Sequence, residues 1–258
     1  MAIVLIRGCG DVGSAVAHAL FKEHHHVVLC DDAAPTHTRR GMAFTDAYFD
    51  GKSELENVFA KRSARGEHLQ SMLACGRAIP AVANDWRGVA KELHVDVIVD
   101  ARMKKHSAPE NFKGAAPLTI GLGPNFIAGE TSDVVIETSW DAPGDIIKTG
   151  ASLPLRGEPQ SLGGHGRERY VYAPLAGMLL TTFAIGDRVV AGQTIATLAG
   201  APILAPLAGT LRGLTHSGVN VAQGMKIVEV DPREPDAKVH GIFERPRRIA
   251  AGVLAAIG

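Results

Sequence analysis

Cysteine is scarce, net charge is nil and no apolar run is long, and each shortage removes a class of explanation. Three cysteines (Cys9, Cys30 and Cys75), an odd number without clustered spacing, argue against a disulfide framework or a zinc site and for a reducing compartment. Lys and Arg number 27 and so do Asp and Glu, which leaves no field to favour nucleic acid or an anionic membrane. The longest apolar stretch near the C-terminus, Ile249 to Ile257, falls far short of the roughly 20 residues that span a bilayer. The opening MAIVLIRGCG has no charged n-region, so a signal peptide is not expected and a cytoplasmic protein is. His24, His25 and His26 are consecutive and cannot all face one ion; no other His, Cys and carboxylate spacing makes a metal motif, so no metal is expected. No Ser/His/Asp arrangement is readable either.

What is present begins with a repeat. APLAGMLLTTFAIGDRVVAGQTIATL at 173 to 198 returns as APLAGTLRGLTHSGVNVAQGMKIVEV at 205 to 230, an offset of 32 residues. Leu179/Leu211, Gly186/Gly218, Val189/Val221, Gly192/Gly224 and Ile195/Ile227 recur, the pattern of short strands between glycine turns. Two such halves resemble the biotinyl/lipoyl hammerhead, in which each half buries its apolar face against the other. Carriers of that kind present a lysine between the halves, but here the junction is Leu198-Ala199-Gly200-Ala201-Pro202-Ile203. Neither biotin nor lipoate is expected, and a structural or docking barrel is.

At the other end, Ala2 to Arg7 reads as a buried strand running into Gly8-Cys9-Gly10-Asp11-Val12-Gly13 and then a helix-periodic segment. A second apolar run ends in Asp31-Asp32, completing a dinucleotide-binding fingerprint. Gly8 would make the tight turn, Gly10 would admit a pyrophosphate, Gly13 would let the helix pack close, and Asp31 would bond a ribose hydroxyl. Asp11 has the alternative of capping the helix. Arg39 and Arg40 either pair with a phosphate or lie in a solvated loop. Cys9 is either a thiol acidified by helix amides or a small packing residue.

Between these ends, strand and helix patterns alternate. Ser53-Glu54-Leu55-Glu56 reads as a capping box opening a helix, Glu67 to Cys75 and Trp86 to Leu93 as helices, the latter capped by Asn84 or Asp85. Ile79 to Ala83, Val95 to Asp100, Leu118 to Gly121 and Val134 to Thr138 read as strands, giving about six in all. The expected fold is α/β: a Rossmann-like, mostly parallel sheet over 1–145, a linker over 146–168, a small all-β barrel-sandwich over 169–235 and a helical tail over 236–258. Ligands of such sheets bind beyond the carboxyl ends of the strands. There Asp100 and Arg102 would orient a ligand while Lys104 or Lys105 supplies charge; the alternative is a strand-end ion pair with two solvated lysines. Gly121 and Gly123, in Gly-Leu-Gly-Pro, would form an anion nest or merely a tight turn.

RGCGDVGSAVAHAL, PTHTRRGMAFTDAYFDG, VDVIVDARMKK, PLTIGLGPNFIAG, DVVIETSW, LRGLTHSGVNVAQGMKIVEVDPR and RRIAAGVLAAI, in this order, resemble the accessory proteins found with selenium-dependent molybdenum hydroxylases, the YqeB type. The family usually has alanine where Cys9 stands and glutamate where Ala255 stands. The resemblance implies a maturation or cofactor-supply role toward a hydroxylase client of the xanthine dehydrogenase class, with NAD(P) or a nucleotide-bearing molybdopterin at the glycine turn. An NAD(P)-dependent oxidoreductase is the rival, against which stands the lack of a Tyr-x-x-x-Lys pair. A nucleotide-sensing scaffold is the third reading, and a homo-oligomer is compatible with all three.

Overall fold

The computed structural model describes residues 1–104, 107–154 and 159–258. The chain forms two compact units, one of residues 1–33, 43–155 and 242–258, the other of residues 34–42 and 156–241. Together they give a mixed α/β protein with one large, mostly parallel sheet, further antiparallel sheets and a C-terminal helix.

The first unit carries β1 (Ile3–Arg7), β2 (His26–Asp31), β3 (Lys52–Leu55), β4 (Val58–Arg62), β5 (Ile79–Ala83), β6 (Val97–Asp100), β7 (Leu118–Leu122), β8 (Ile127–Ala128), β9 (Val134–Ile136), β10 (Ile146–Ile147) and β11 (Gly150–Ala151). Its sheet has the order β10-β9-β7-β6-β1-β2-β5-β4-β3. All neighbours pair in parallel except the two edge strands, β3 on β4 and β10 on β9. Central parallel strands are covered on both faces, which is why Val4, Leu5 and Ile6 are a continuous apolar run with no exposure. Val4 and Ile6 face one core with α1 (Asp11–Lys22) and α5 (Glu244–Ile257), whereas Leu5 faces another with Leu69 and Leu73 of α3 (Glu67–Cys75) and Val89 of α4 (Trp86–Leu93). Each such side chain contributes on the order of 1.5–3 kcal/mol by leaving water. Asp85 rather than Asn84 caps α4, its carboxylate accepting from the Gly88 amide at 3.0 Å.

The capping box at Ser53 to Glu56 opens no helix. Lys52 to Arg62 is the β3–β4 hairpin, with Glu56 and Asn57 both at positive φ (45° and 65°) in the two-residue loop. Alternation of buried Val58 and Ala60 with exposed Phe59 outweighs the local cap signal. A short helix, α2 (Ala47–Asp50), precedes the hairpin instead.

The second unit carries β12 (Tyr170–Tyr172), β13 (Gly177–Leu180), β14 (Arg188–Val189), β15 (Thr194–Leu198), β16 (Ala201–Leu204), β17 (Gly209–Leu214), β18 (Val219–Val221) and β19 (Lys226–Asp231). They form two four-stranded sheets, β12-β19-β17-β14 and β16-β15-β13-β18. The repeat is visible in the pairing: β13, β14 and β15 of the first copy match β17, β18 and β19 of the second. Each copy gives its middle strand to the other's sheet, β14 pairing with β17 and β18 with β13. At the junction, Ala199 and Gly200 turn β15 into β16 with both φ positive.

Glu229 of β19 lies fully buried among cations. It accepts from Arg39 Nε at 2.9 Å, Arg169 Nη1 at 2.6 Å and Lys226 Nζ at 2.9 Å, and Arg212 Nε stands 3.1 Å away. Burial opposes its charge, but the surrounding cations and the Arg39 hydrogen bond hold its carboxyl well below the usual range. Removing the charge strands several guanidiniums out of water, so Glu229→Gln is expected to destabilise the second unit by roughly 3–5 kcal/mol. Because the folded-state pKa is depressed, the contribution is complete above the unfolded value of about 4.3 and is lost as pH falls below it. Urea unfolding followed by circular dichroism should show the gap between wild type and Glu229→Gln narrowing from about pH 7 to about pH 2; a constant gap would contradict the assignment.

Candidate functional site

Strand register brings the sequence candidates to one edge of the sheet. Arg7, the last residue of β1, stands beside Cys30 of β2 and Asp100 of β6, and Asp100 beside Gly121 of β7. Two distinct places result, the glycine turn after β1 and an arginine-rich cavity after β6.

The glycine turn is closed. Gly8, at φ 107°, donates its N–H to the Cys30 carbonyl at 2.9 Å, and a Cβ on Gly13 would lie 2.0 Å from the Gly8 carbonyl oxygen. Those two glycines therefore serve turn and packing. The Cys9 carbonyl accepts from Ser14 Oγ at 2.8 Å and Thr45 Oγ1 at 3.1 Å, and the Phe44 amide donates to Ser14 Oγ at 2.8 Å. Phe44 and Thr45, both fully buried, are thus fastened to Ser14 and Cys9 of the turn. Asp31, expected on a ribose, accepts instead from the Cys9 amide through Oδ2 at 2.7 Å and from the Asp32 amide through Oδ1 at 2.8 Å. Gly10 is the N-cap of α1, and the Val12 amide in its first turn is met by Asp11 Oδ1 at 3.0 Å. The positive end of α1 already has carboxylates beside it, and a phosphate there would meet like charge.

Other expected cofactor contacts are likewise committed. Arg39 and Arg40 belong to the second unit, where Arg39 holds Glu229 and Arg40 Nε donates to the Leu214 carbonyl at 2.8 Å. Gly121 packs against the Phe126 ring, and the Gly123 carbonyl accepts from Ser152 Oγ at 2.7 Å, so Gly-Leu-Gly-Pro is a filled tight turn. Cys9 has no exposure; burial, then the nearby Asp31 charge, pushes its thiol up, opposite to what a nucleophile needs. Cys30 is pushed up to about 12, first by burial, and its thiol donates to the Asn84 carbonyl. The Cys9 thiol and an Asp31 carboxylate oxygen do lie within 4.8 Å, a pair of metal-ligand type that the sequence spacing did not reveal.

The second place is a cavity of about 310 Å³ after β6, lined in part by Asp100, Arg102, Lys104, Ser107, Glu110 and Phe126. Asp100, 2% exposed, is its anchor. Arg102 donates to it from Nε at 3.0 Å and from Nη2 at 2.6 Å, while Arg7 Nη1 sits 3.1 Å away as an ion pair. Arg7 is itself 2% exposed, stacked on the Trp86 ring with its guanidinium carbon 4.0 Å from the centroid. Burial lowers its pKa; among the described residues its buried Nε meets no hydrogen-bond acceptor, and its buried Nη1 has the Asp100 ion pair but no well-aligned hydrogen bond. Glu110 completes the cluster, accepting from Arg7 Nη2 at 2.5 Å, from Arg102 Nη2 at 3.3 Å and from Arg87 Nη2. Partial burial opposes ionisation of Glu110, but hydrogen bonds from Arg7 and Arg87 win and hold it at about 2. Glu110 and Arg7 escaped the sequence reading, Arg7 because it looked like the end of a strand and Glu110 because an isolated Pro-Glu-Asn carries no pattern. Lys105, named with Lys104, lies outside the described residues.

No protein family model matches the chain. A curated relative from Escherichia coli (strain K12), described as the uncharacterized protein YqeB, is 34% identical over 99% of this chain and 47% of its own length. The chain thus spans about half the length of the curated relative it matches. Among solved structures, a succinylglutamate desuccinylase/aspartoacylase family protein from Shewanella amazonensis matches at 13% identity and TM-score 0.25, covering 89% of this chain and 90% of that one. The product-bound ectoine utilization protein EutE (DoeB) from Ruegeria pomeroyi matches at 10% identity and TM-score 0.28, covering 90% and 86%. Scores this low carry no chemistry across.

These findings correct the expected role. The relative is described without a function, so likeness to it assigns no part in molybdenum hydroxylase maturation. The physical ground is the turn's own carboxylates: Asp31 holds the Cys9 amide and Asp11 the Val12 amide, where the phosphates of NAD(P) or a nucleotide-bearing molybdopterin were expected. No described helix is long and apolar enough to cross a membrane. Brief alkylation of the native protein should modify Cys75, which is exposed, and spare Cys9 and Cys30. Peptide mass spectrometry reads this, and labelling of Cys9 in folded protein would show the turn to be open.

Proposed function

We propose that the first unit is a small-anion binding module whose ligand enters the cavity after β6. The observation that carries this reading is Arg7, a nearly fully buried guanidinium that is ion-paired through Nη1 with the cavity-lining Asp100 and whose Nε meets no acceptor among the described residues. Among the described residues, the four cations Arg7, Arg87, Arg102 and Lys104 stand around the two carboxylates Asp100 and Glu110. Low-dielectric walls strengthen that field, and the C-terminal edge of a parallel sheet is where such folds place ligands. Arg102 and Lys104 would contact the anion, and Asp100 would hold Arg102 and Arg7 in a fixed orientation for it. For the second unit, the exchange of β14 and β18 between copies supports a closed barrel-sandwich, with no lysine at the junction of its halves, in a structural role.

Isothermal titration with short carboxylates and inorganic phosphate tests the cavity. Arg102→Ala should weaken the binding of any anion that titrates by roughly ten- to a hundredfold, the loss of a charge-assisted hydrogen bond of about 1.5–3 kcal/mol. Equal affinity in wild type and variant would remove the cavity from consideration.

A further inference from the structure

Arg102, which lines the cavity, and Arg7 and Arg87 beside it together hold a carboxylate that belongs to the chain itself and lines the cavity too. Arg7 comes from the end of β1, Arg87 from α4 and Arg102 from the residues after β6, and all three converge on Glu110. The two acids of the cluster are held very differently. Asp100 ends a central strand, pairs in register with Arg7 and Gly121, and is 2% exposed. Glu110 lies between β6 and β7 outside any helix or strand, with its side chain 31% exposed. Among the described residues, no backbone-to-backbone hydrogen bond holds Ser107 to Glu110; the first after them is the Phe112 amide to the Thr131 carbonyl at 3.1 Å. Its side-chain ion pairs are therefore what fasten Glu110 at the mouth. Beyond its Cα, a glutamate side chain is chemically a propionate, and the adjoining wall offers Phe126, Ala108 and Pro109 for a short alkyl stem with Lys104 and Ser107 for a second polar end.

We propose that Glu110 is a tethered stand-in for the ligand, and that the ligand of this cavity is a short-chain carboxylate, of which a dicarboxylate such as glutarate is the model, binding by displacing Glu110 from Arg7, Arg87 and Arg102. This rests on the anion-binding reading above and adds to it the ligand class and an internal competitor. An incoming carboxylate replaces one set of charge-assisted hydrogen bonds with an equivalent set, so the exchange is nearly balanced and the tether sets the threshold. Affinity in the intact protein is then the intrinsic affinity reduced by the fraction of molecules with Glu110 out of the site.

The full-length protein is titrated calorimetrically with glutarate and propionate, with 1-propanol as the neutral control, as wild type, Glu110→Ala and Glu110→Gln. Circular dichroism checks that each variant is folded. Both variants are expected to bind the carboxylates at least about tenfold more tightly than wild type, as for release from a state populated at about 10% or less. Propanol is expected to bind none of them, and glutarate should raise the thermal midpoint of Glu110→Ala more than that of wild type. If Glu110→Ala does not fold, Glu110→Gln, which keeps the side-chain shape, carries the comparison. Equal carboxylate affinity across the three proteins overturns the competition while leaving anion binding intact. Binding of phosphate but no carboxylate overturns the ligand class, and binding of no anion by any of them overturns both this inference and the reading beneath it.

Discussion

The Arg7–Asp100 pair fixes the chemistry of the first unit, because the backbone leaves it no freedom to be elsewhere. Both residues end central parallel strands, they are register partners, and neither side chain reaches bulk water. Burying a guanidinium costs several kcal/mol unless it is met by charge, and one carboxylate shared with Arg102 meets only part of the need. Everything around it follows: Trp86 beneath the guanidinium, Glu110 across its outer nitrogen, and a second tier of arginines that keeps Glu110 ionised.

The glycine turn shows the reverse economy. Its sequence is that of a dinucleotide fingerprint, yet several groups that a dinucleotide would use are engaged by the chain. Asp31 has turned back onto the Cys9 amide, Asp11 meets the first turn of α1, and Phe44 and Thr45 lie over the turn. A motif of this type specifies how a strand passes into a helix; occupancy by a ligand is decided by what covers it.

That distinction separates what was legible in the sequence from what was not. Strand β1, helix α1, helices α3 and α4 and the 32-residue repeat could be read because periodicity and turn glycines are local. The capping box failed because Glu56 and Asn57 prefer the tight loop that the alternating β4 pattern demands. Asp100, Arg102 and Lys104 were found from the rule about strand ends, and they do line one cavity. Closure of the turn depends on residues over thirty positions downstream of it, and Glu110 reaches Arg7 across more than a hundred, so no window of sequence contains either fact. Glu229 had a faint signal, an acid flanked by valines in a strand, but of its cations Lys226 alone shares that strand, and Arg39, Arg169 and Arg212 come from three distant segments.

The crossing of β14 and β18 between the two sheets has a consequence for how such a unit could arise. With an edge strand of each sheet donated by the other copy, a single repeat on its own would leave one sheet edge uncovered and its middle strand without a partner. A one-copy ancestor could fold only as a twofold-symmetric pair of chains, each threading its middle strand into its twin. Fusion of the two genes would then have made the pair covalent and released the halves to diverge, which is how Arg212 and Glu229 now stand where the first copy keeps Leu180 and Thr197.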